Sequence, residues 1–179
     1  MPMIVEAVGG LLFAEPGLNV FAVLDGASIA ELLDKFDELQ PEYKCLRSGQ
    51  LKPDIAEVAP YLVRLEPGHS FTQWVLAEGW GKHWGIFALA ASDPLEMRHH
   101  FRTLTMVTDP DGKRLLFRFY DPRVLRAFLP TCNEQELKSM FGPVTAYLLE
   151  DEDAGTLLRY ELSGGKLVEQ RKPVGSQEV

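Results

Sequence analysis

The residue types with the most chemical scope sit in two short runs, Arg98-His-His-Phe-Arg102 and Phe117-Arg-Phe-Tyr-Asp-Pro-Arg123. Arg98 and Arg102 are one helical turn apart, so a helix puts both guanidinium groups on one face. Arg118 and Tyr120 alternate with Phe117 and Phe119, so a strand carries charge and hydroxyl on one face and rings on the other. If helix and strand are neighbours, Arg98, Arg102, Arg118 and Asp121 form one polar network, because the planar guanidinium fork binds carboxylates bidentately. Such a network could grip an acidic or C-terminal carboxylate element of a partner. It could equally be scaffold, with Asp121 capping a helix that starts at Pro122 and pairing with Arg102 or Arg118. The surrounding segment is basic: Arg98, Arg102, Lys113, Arg114, Arg118, Arg123 and Arg126 face only Asp109, Asp111 and Asp121. A locally basic stretch in an acidic chain pairs internally or meets an acidic partner.

Other chemistry is harder to find. The histidines are His69, His83, His99 and His100. Adjacent histidines on a helix point about 100° apart, so His99 and His100 do not readily face one ion. There is no HxH, HExxH or Cys/His cluster, which leaves the histidines as packing or surface residues. No GxSxG elbow is present, and neither Cys45 nor Cys132 has an activating context. Gly79-Trp80-Gly81 lacks the GK[ST] of a phosphate loop and runs into His83-Trp84. Asp25 could serve as a base at a strand end, with His83 or His99 as partner in a small hydrolase. An Asp-Gly after a strand is more commonly a turn. The expectation is a non-enzyme that uses neither metal nor cofactor.

The chain has 179 residues, 46% hydrophobic and 25% charged, in the range of one soluble domain. A net charge of −8 argues against general nucleic-acid binding, which needs a basic surface. No apolar run reaches the ~20 residues of a bilayer span. The N-terminal MPMIVEAVGGLLFAEPG lacks a basic n-region, and Glu6 interrupts its apolar stretch, so it makes a poor signal peptide. Two distant cysteines without CxxC spacing fit reduced thiols, and a cytoplasmic location is expected.

These residues must be positioned by the elements around them. Gly9-Gly10 and Pro16-Gly17 break the N-terminus into short pieces. Val20–Leu24 reads as a buried strand ended by Asp25-Gly26. Ser28 and Glu31 suggest a capping box for an amphipathic helix through Ile29, Leu32, Leu33 and Phe36. Tyr43–Leu46 and Val58–Leu65 read as strands, the latter with Pro60 at its start or on an edge. Phe71–Ala77 is helical in pattern. Trp84–Ala90 reads as an inner strand covered on both faces. Ser92 and Pro94 open a second helix. Asp109-Pro-Asp-Gly112 is a hairpin turn between Leu104–Thr108 and Arg114–Tyr120. Helices follow to Leu129 and, from an Asn133 cap, to Phe141. Then come a strand Val144–Leu149 and a hairpin of Leu157–Leu162 with Leu167–Gln170. Hairpins interrupt any βαβ repetition, so the expected fold is α/β in the α+β sense: a mixed sheet flanked by helices, with a C-terminal β-hairpin. One compact domain over residues 1–171 and a disordered tail over 172–179 complete the expectation.

Four blocks carry a family likeness: Phe21-Ala-Val-Leu-Asp-Gly-Ala27, Ala59-Pro-Tyr-Leu-Val63, Ser92–Arg102, and Gly112 followed by Phe117-Arg-Phe-Tyr-Asp-Pro-Arg-Val124. In order and spacing they resemble the domain-of-unknown-function adaptors encoded beside type VI secretion spikes, across roughly residues 20–150. The resemblance implies a chaperone that binds a toxic effector and helps dock it on the VgrG spike, often through a PAAR-type tip. It implies no catalysis and no cofactor. Relatives of this kind often continue into a helical C-terminal lobe, where this sequence offers only the 156–170 hairpin and a tail. Candidate partner-binding residues are Arg98, Arg102, Arg118, Tyr120 and Arg123, with Trp80 and Trp84 as an exposed aromatic patch. Asp25, Gly26, Pro60, Tyr61, Asp121 and Pro122 are the expected structural motif. The rivals are the hydrolase above and an immunity-like protein that neutralises a toxin by filling a basic cleft.

Overall fold

The continuous apolar runs at Val20–Leu24 and Gly85–Ala90 are what strands covered on both faces require. The computed structural model, which describes residues 2–175, supplies that cover. Seven strands form one sheet in the order β2-β3-β1-β4-β7-β8-β9: β1 Asn19–Asp25, β2 Glu42–Cys45, β3 Pro60–Leu65, β4 Gly85–Ala90, β7 Ala146–Glu150, β8 Thr156–Ser163 and β9 Lys166–Pro173. A two-stranded ribbon, β5 Met106–Thr108 with β6 Arg114–Leu116, stands apart from it. The helices are α1 Pro2–Leu12, α2 Leu32–Leu39, α3 Pro53–Glu57, α4 Ser70–Trp74, α5 Pro94–Leu104, α6 Pro122–Phe128 and α7 Glu134–Phe141. α4 runs on as a π-helical turn, Val75–Gly79.

The α+β class, the flanking helices and the C-terminal hairpin are as expected. Within that class every described strand pair is antiparallel, so the sheet holds no parallel pairing among the described residues. The mixed sheet expected from hairpins interrupting a βαβ order is thus antiparallel in every described pair, and two-sided burial accounts for its continuous apolar strands. Antiparallel sheets usually show alternating strands because one face meets water; here Phe21 and Val23 enter one core with α5, α6 and α7, while Val20, Ala22 and Leu24 enter another with α1, α2 and α4. Phe21 is fully buried, and burial of one such side chain contributes about 1.5–3 kcal/mol.

Local expectations shift in several places. Gly9-Gly10 lies inside α1, where burial of Val8 and Leu12 in the second core outweighs the glycine cost. Ser28 does not cap α2; it closes a 3-10 turn, Gly26–Ser28, capped by Asp25. Asp93, not Ser92, caps α5. The strand expected to reach Tyr120 stops at Leu116, and Arg118–Asp121 is a turn with Phe119 and Tyr120 both buried. Lys172 and Pro173, expected in the tail, pair with Leu157 and Thr156 in β9, and Val174 is buried. Residues 176–179 of that tail lie outside the described residues.

Candidate functional site

Antiparallel register gathers one end of every central strand. Asp25 at the end of β1 pairs with Pro60 at the start of β3, Leu24 pairs with Gly85 at the start of β4, and Glu150 at the end of β7 pairs with Leu157 in β8. The buried carboxylates collect here: Asp25, Glu150 and Asp151 on the strand ends, and Asp121 at the head of α6. A buried carboxylate must be hydrogen-bonded or paired, and each of these is.

Asp25 accepts from the Ala27 N–H at 3.1 Å, from the Ser28 hydroxyl at 2.7 Å, and from the Arg118 guanidinium. Its neighbour Tyr120 is buried, and burial followed by the Asp25 charge pushes its phenol pKa up. Asp121 accepts from the Arg123 N–H at 2.9 Å and, bidentately, from the Arg123 side chain at 3.0 and 2.8 Å. Burial works to raise its pKa, but these bonds from Arg123 hold it below the ordinary value. Glu150 accepts the Gly81 N–H at 2.5 Å and the His83 N–H at 2.9 Å. The His83 ring Nδ1 lies 2.6 Å from the same carboxylate without the alignment of a hydrogen bond. Asp151 takes Arg171 at 2.6 Å, and Arg126 reaches across to donate to the Glu150 carbonyl at 3.0 Å. Gly26 completes the corner: its N–H meets the Ala59 carbonyl at 3.0 Å, and a Cβ there would stand 2.4 Å from that oxygen.

A groove opens beside this clasp, between α5, the loop after β2 and the β5–β6 ribbon, with a cavity volume of about 730 Å³. Leu46, Leu51, Met106 and Leu116 supply apolar surface, Arg47, Arg102 and Arg114 supply its cationic rim, and His99 also lines it. Arg98 shapes one wall by donating to the carbonyls of Cys45, at 2.8 Å, and Arg47, at 3.4 Å. On the ribbon, Met106 pairs with Leu116 and Thr108 with Arg114, so these four share the face that contains the groove residues. Val107 and Leu115 occupy the other face, and all four apolar side chains of the ribbon are exposed.

The family model described as "Domain of unknown function (DUF4123)" matches residues 20–139. The chain belongs to the DUF4123 family. No curated protein and no solved structure matches it. The DUF4123 match runs from β1 into α7 and includes Asp25, Arg118, Asp121 and the whole groove. It stops before β7, so the Glu150 and Asp151 side of the clasp lies outside it.

Within the DUF4123 region the structure brings together Asp25, Gly26, Pro60, Arg118, Tyr120, Asp121 and Arg123, but not as one arginine network. Asp121 caps α6 ahead of Pro122, as expected, yet pairs with Arg123 instead of Arg102 or Arg118. Arg98 is committed to backbone carbonyls, and Arg102 turns to the groove. Tyr61 belongs to the opposite core, where its hydroxyl donates to the Ala56 carbonyl at 2.8 Å. Trp80 and Trp84 pack half-buried on that same core; Trp80 donates to the Ala154 carbonyl at 2.7 Å, and Trp84 lies 5.0 Å from Trp74. They do not form an exposed patch, because the loop carrying them is tied down by Glu150. Among the described residues, no histidine contacts the Asp25 carboxylate, and no group of three or more His, Cys, Asp or Glu is placed to hold a metal ion. No described helix is long and apolar enough to cross a membrane. Sequence reasoning missed Glu150, Asp151, Arg126 and Arg171 as one cluster; its signal was an apolar strand, Tyr147-Leu-Leu149, ending directly in two acids.

Proposed function

We propose that this DUF4123 protein is a non-catalytic adaptor that binds a toxin effector and loads it onto the VgrG spike or a PAAR-type tip of a type VI secretion system, working in the cytoplasm. Family membership over residues 20–139 supports this reading, as do the four sequence blocks that resemble such adaptors. The observation that carries it is the division of labour around Phe117–Arg123. The acids that could do chemistry are occupied by Arg118, Arg123 and backbone N–H groups, whereas the adjoining concave surface presents apolar side chains and arginines outward. Occupied carboxylates are poor general bases, and exposed apolar surface rimmed by polar groups marks a protein-binding site.

Co-purification of the tagged protein with the products of the genes on either side of its own tests the reading. An effector or spike component retained at near-equal stoichiometry, and lost when a segment of the effector is deleted, is the expected result. Recovery of the protein alone, with neighbouring genes unrelated to secretion, overturns it.

A further inference from the structure

We infer that the groove beside the clasp receives a short, acidic, amphipathic segment of the cargo polypeptide, with its carboxylates on Arg47, Arg102 and Arg114 and its apolar side chains on Leu46, Met106 and Leu116. The inference rests on the adaptor reading and adds to it the chemistry and place of recognition.

Charge carries the first half of the argument. In a chain of net charge −8, three of the six guanidinium groups of the basic middle segment are paired with acids: Arg118 with Asp25, Arg123 with Asp121 and Arg126 with Asp151. Arg47, Arg102 and Arg114 converge on one groove and make no ion pair with any described carboxylate. An acidic protein that leaves three arginines together and unneutralised creates a local positive field that steers a negative ligand to that spot.

The second half is the ribbon. Met106 and Leu116 are 37% and 51% exposed on its groove face, and a two-stranded ribbon gains no core of its own from displaying them. A pure polyanion would leave that surface wet; a segment alternating acidic and apolar side chains covers it. Size favours a segment over a domain face. The groove's roughly 730 Å³ lies in the range of a concave pocket that takes a few side chains, whereas a domain face docks across a broad, flatter surface. Nucleic acid answers the charge alone, against the overall −8 and without use for the leucine and methionine.

The test uses the full chain and a phage-displayed random-peptide library. Clones retained by the wild type are expected to be rich in Asp and Glu interspersed with apolar residues. Synthetic copies of those clones are expected to bind R102E/R114E about tenfold more weakly or worse, and to weaken with added salt. An unchanged melting temperature establishes that this variant is folded. M106S/L116S provides an independent variant with the charges intact and the same expected loss. Failure to select acidic peptides, or binding to either variant as tight as to the wild type, overturns the inference. A labelled single-stranded oligonucleotide that binds the wild type and is lost in R102E/R114E also overturns it, in favour of nucleic acid. Cargo co-purified equally by wild type and R102E/R114E overturns the groove and leaves the adaptor reading standing. Absence of any cargo partner removes the adaptor reading while the peptide selection still decides the groove.

Discussion

The guanidinium of Arg118 closes on the carboxylate of Asp25, a contact spanning 93 residues that ties the turn before α6 to the end of the central strand β1. Asp25 is almost fully buried, whereas the Arg118 side chain is 43% exposed, so the pair is intermediate between surface and interior. Exposed pairs are worth about 0–1 kcal/mol; removing one partner of a buried pair costs about 3–5 kcal/mol. Asp25 keeps two local donors, so R118A is expected to lose about 2 kcal/mol by urea denaturation, and D25N less. Unchanged stability would show that the pair does not hold the fold.

Glu150 holds the loop between the π-helical turn and β4 through two backbone N–H groups. E150A leaves both without an acceptor, at a cost of about 2–3 kcal/mol. Amide exchange should accelerate at Gly81 and His83 before it does so elsewhere in the sheet. E150Q retains a carbonyl acceptor and should show a smaller effect at the same two amides.

Glycines at the strand ends are set by close approach. A Cβ on Gly85 would stand 2.1 Å from the Val23 carbonyl oxygen, and one on Gly26 would stand 2.4 Å from that of Ala59. Both neighbours are backbone and cannot rotate away, so G85A and G26A are each expected to cost about 1–3 kcal/mol. Gly10 in α1 has nothing within 4 Å of that position. G10A should therefore stabilise by about 0.5–1 kcal/mol, raising the thermal midpoint.

Two groups make stability fall with acid. Burial lowers the His100 pKa below its ordinary 6.5 despite the Met140 carbonyl 3.1 Å from its Nε2. A depressed folded pKa means the unfolded chain takes up the proton first, so stability is full above 6.5 and falls as pH drops through the folded value. Asp121 behaves the same way lower down, with stability present above its ordinary 3.8 and lost below it. Urea midpoints across the acid range should flatten just below 6.5 in H100Q and below 3.8 in D121N. An unaltered profile in either variant contradicts the corresponding assignment.

Several local signals were legible, although Ser28 and Ser92 do not hold the capping positions expected of them and Asp93 caps α5. Asp121-Pro122 and Asn133 with Glu136 cap helices because the acceptor and the free N–H groups lie within one turn. Asp109-Pro-Asp-Gly112 makes its turn by the same logic, with Asp109 accepting from Asp111 and Lys113. The four family-like blocks were equally readable, and the family match over 20–139 agrees with them.

Partner choice was not legible. Which arginine meets which acid depends on distances between segments far apart in the chain, and a charge has no sequence-local preference for Asp25 over Asp121. The extended appearance of Phe117–Tyr120 gave way because burying Phe119 and Tyr120 together outweighed strand alternation. The groove arises only where α5, the β2 loop and the β5–β6 ribbon converge, so Arg47 and Arg114 read alone as ordinary surface charges. Sequence by itself determined the α+β class, the caps at Asp121 and Asn133, and the family; the tertiary structure decided that the sheet is antiparallel, which acids are sealed, and which arginines face outward. The physical reason is range: capping and turn chemistry act within a few residues, whereas burial and ion pairing are settled by whatever the completed fold brings alongside.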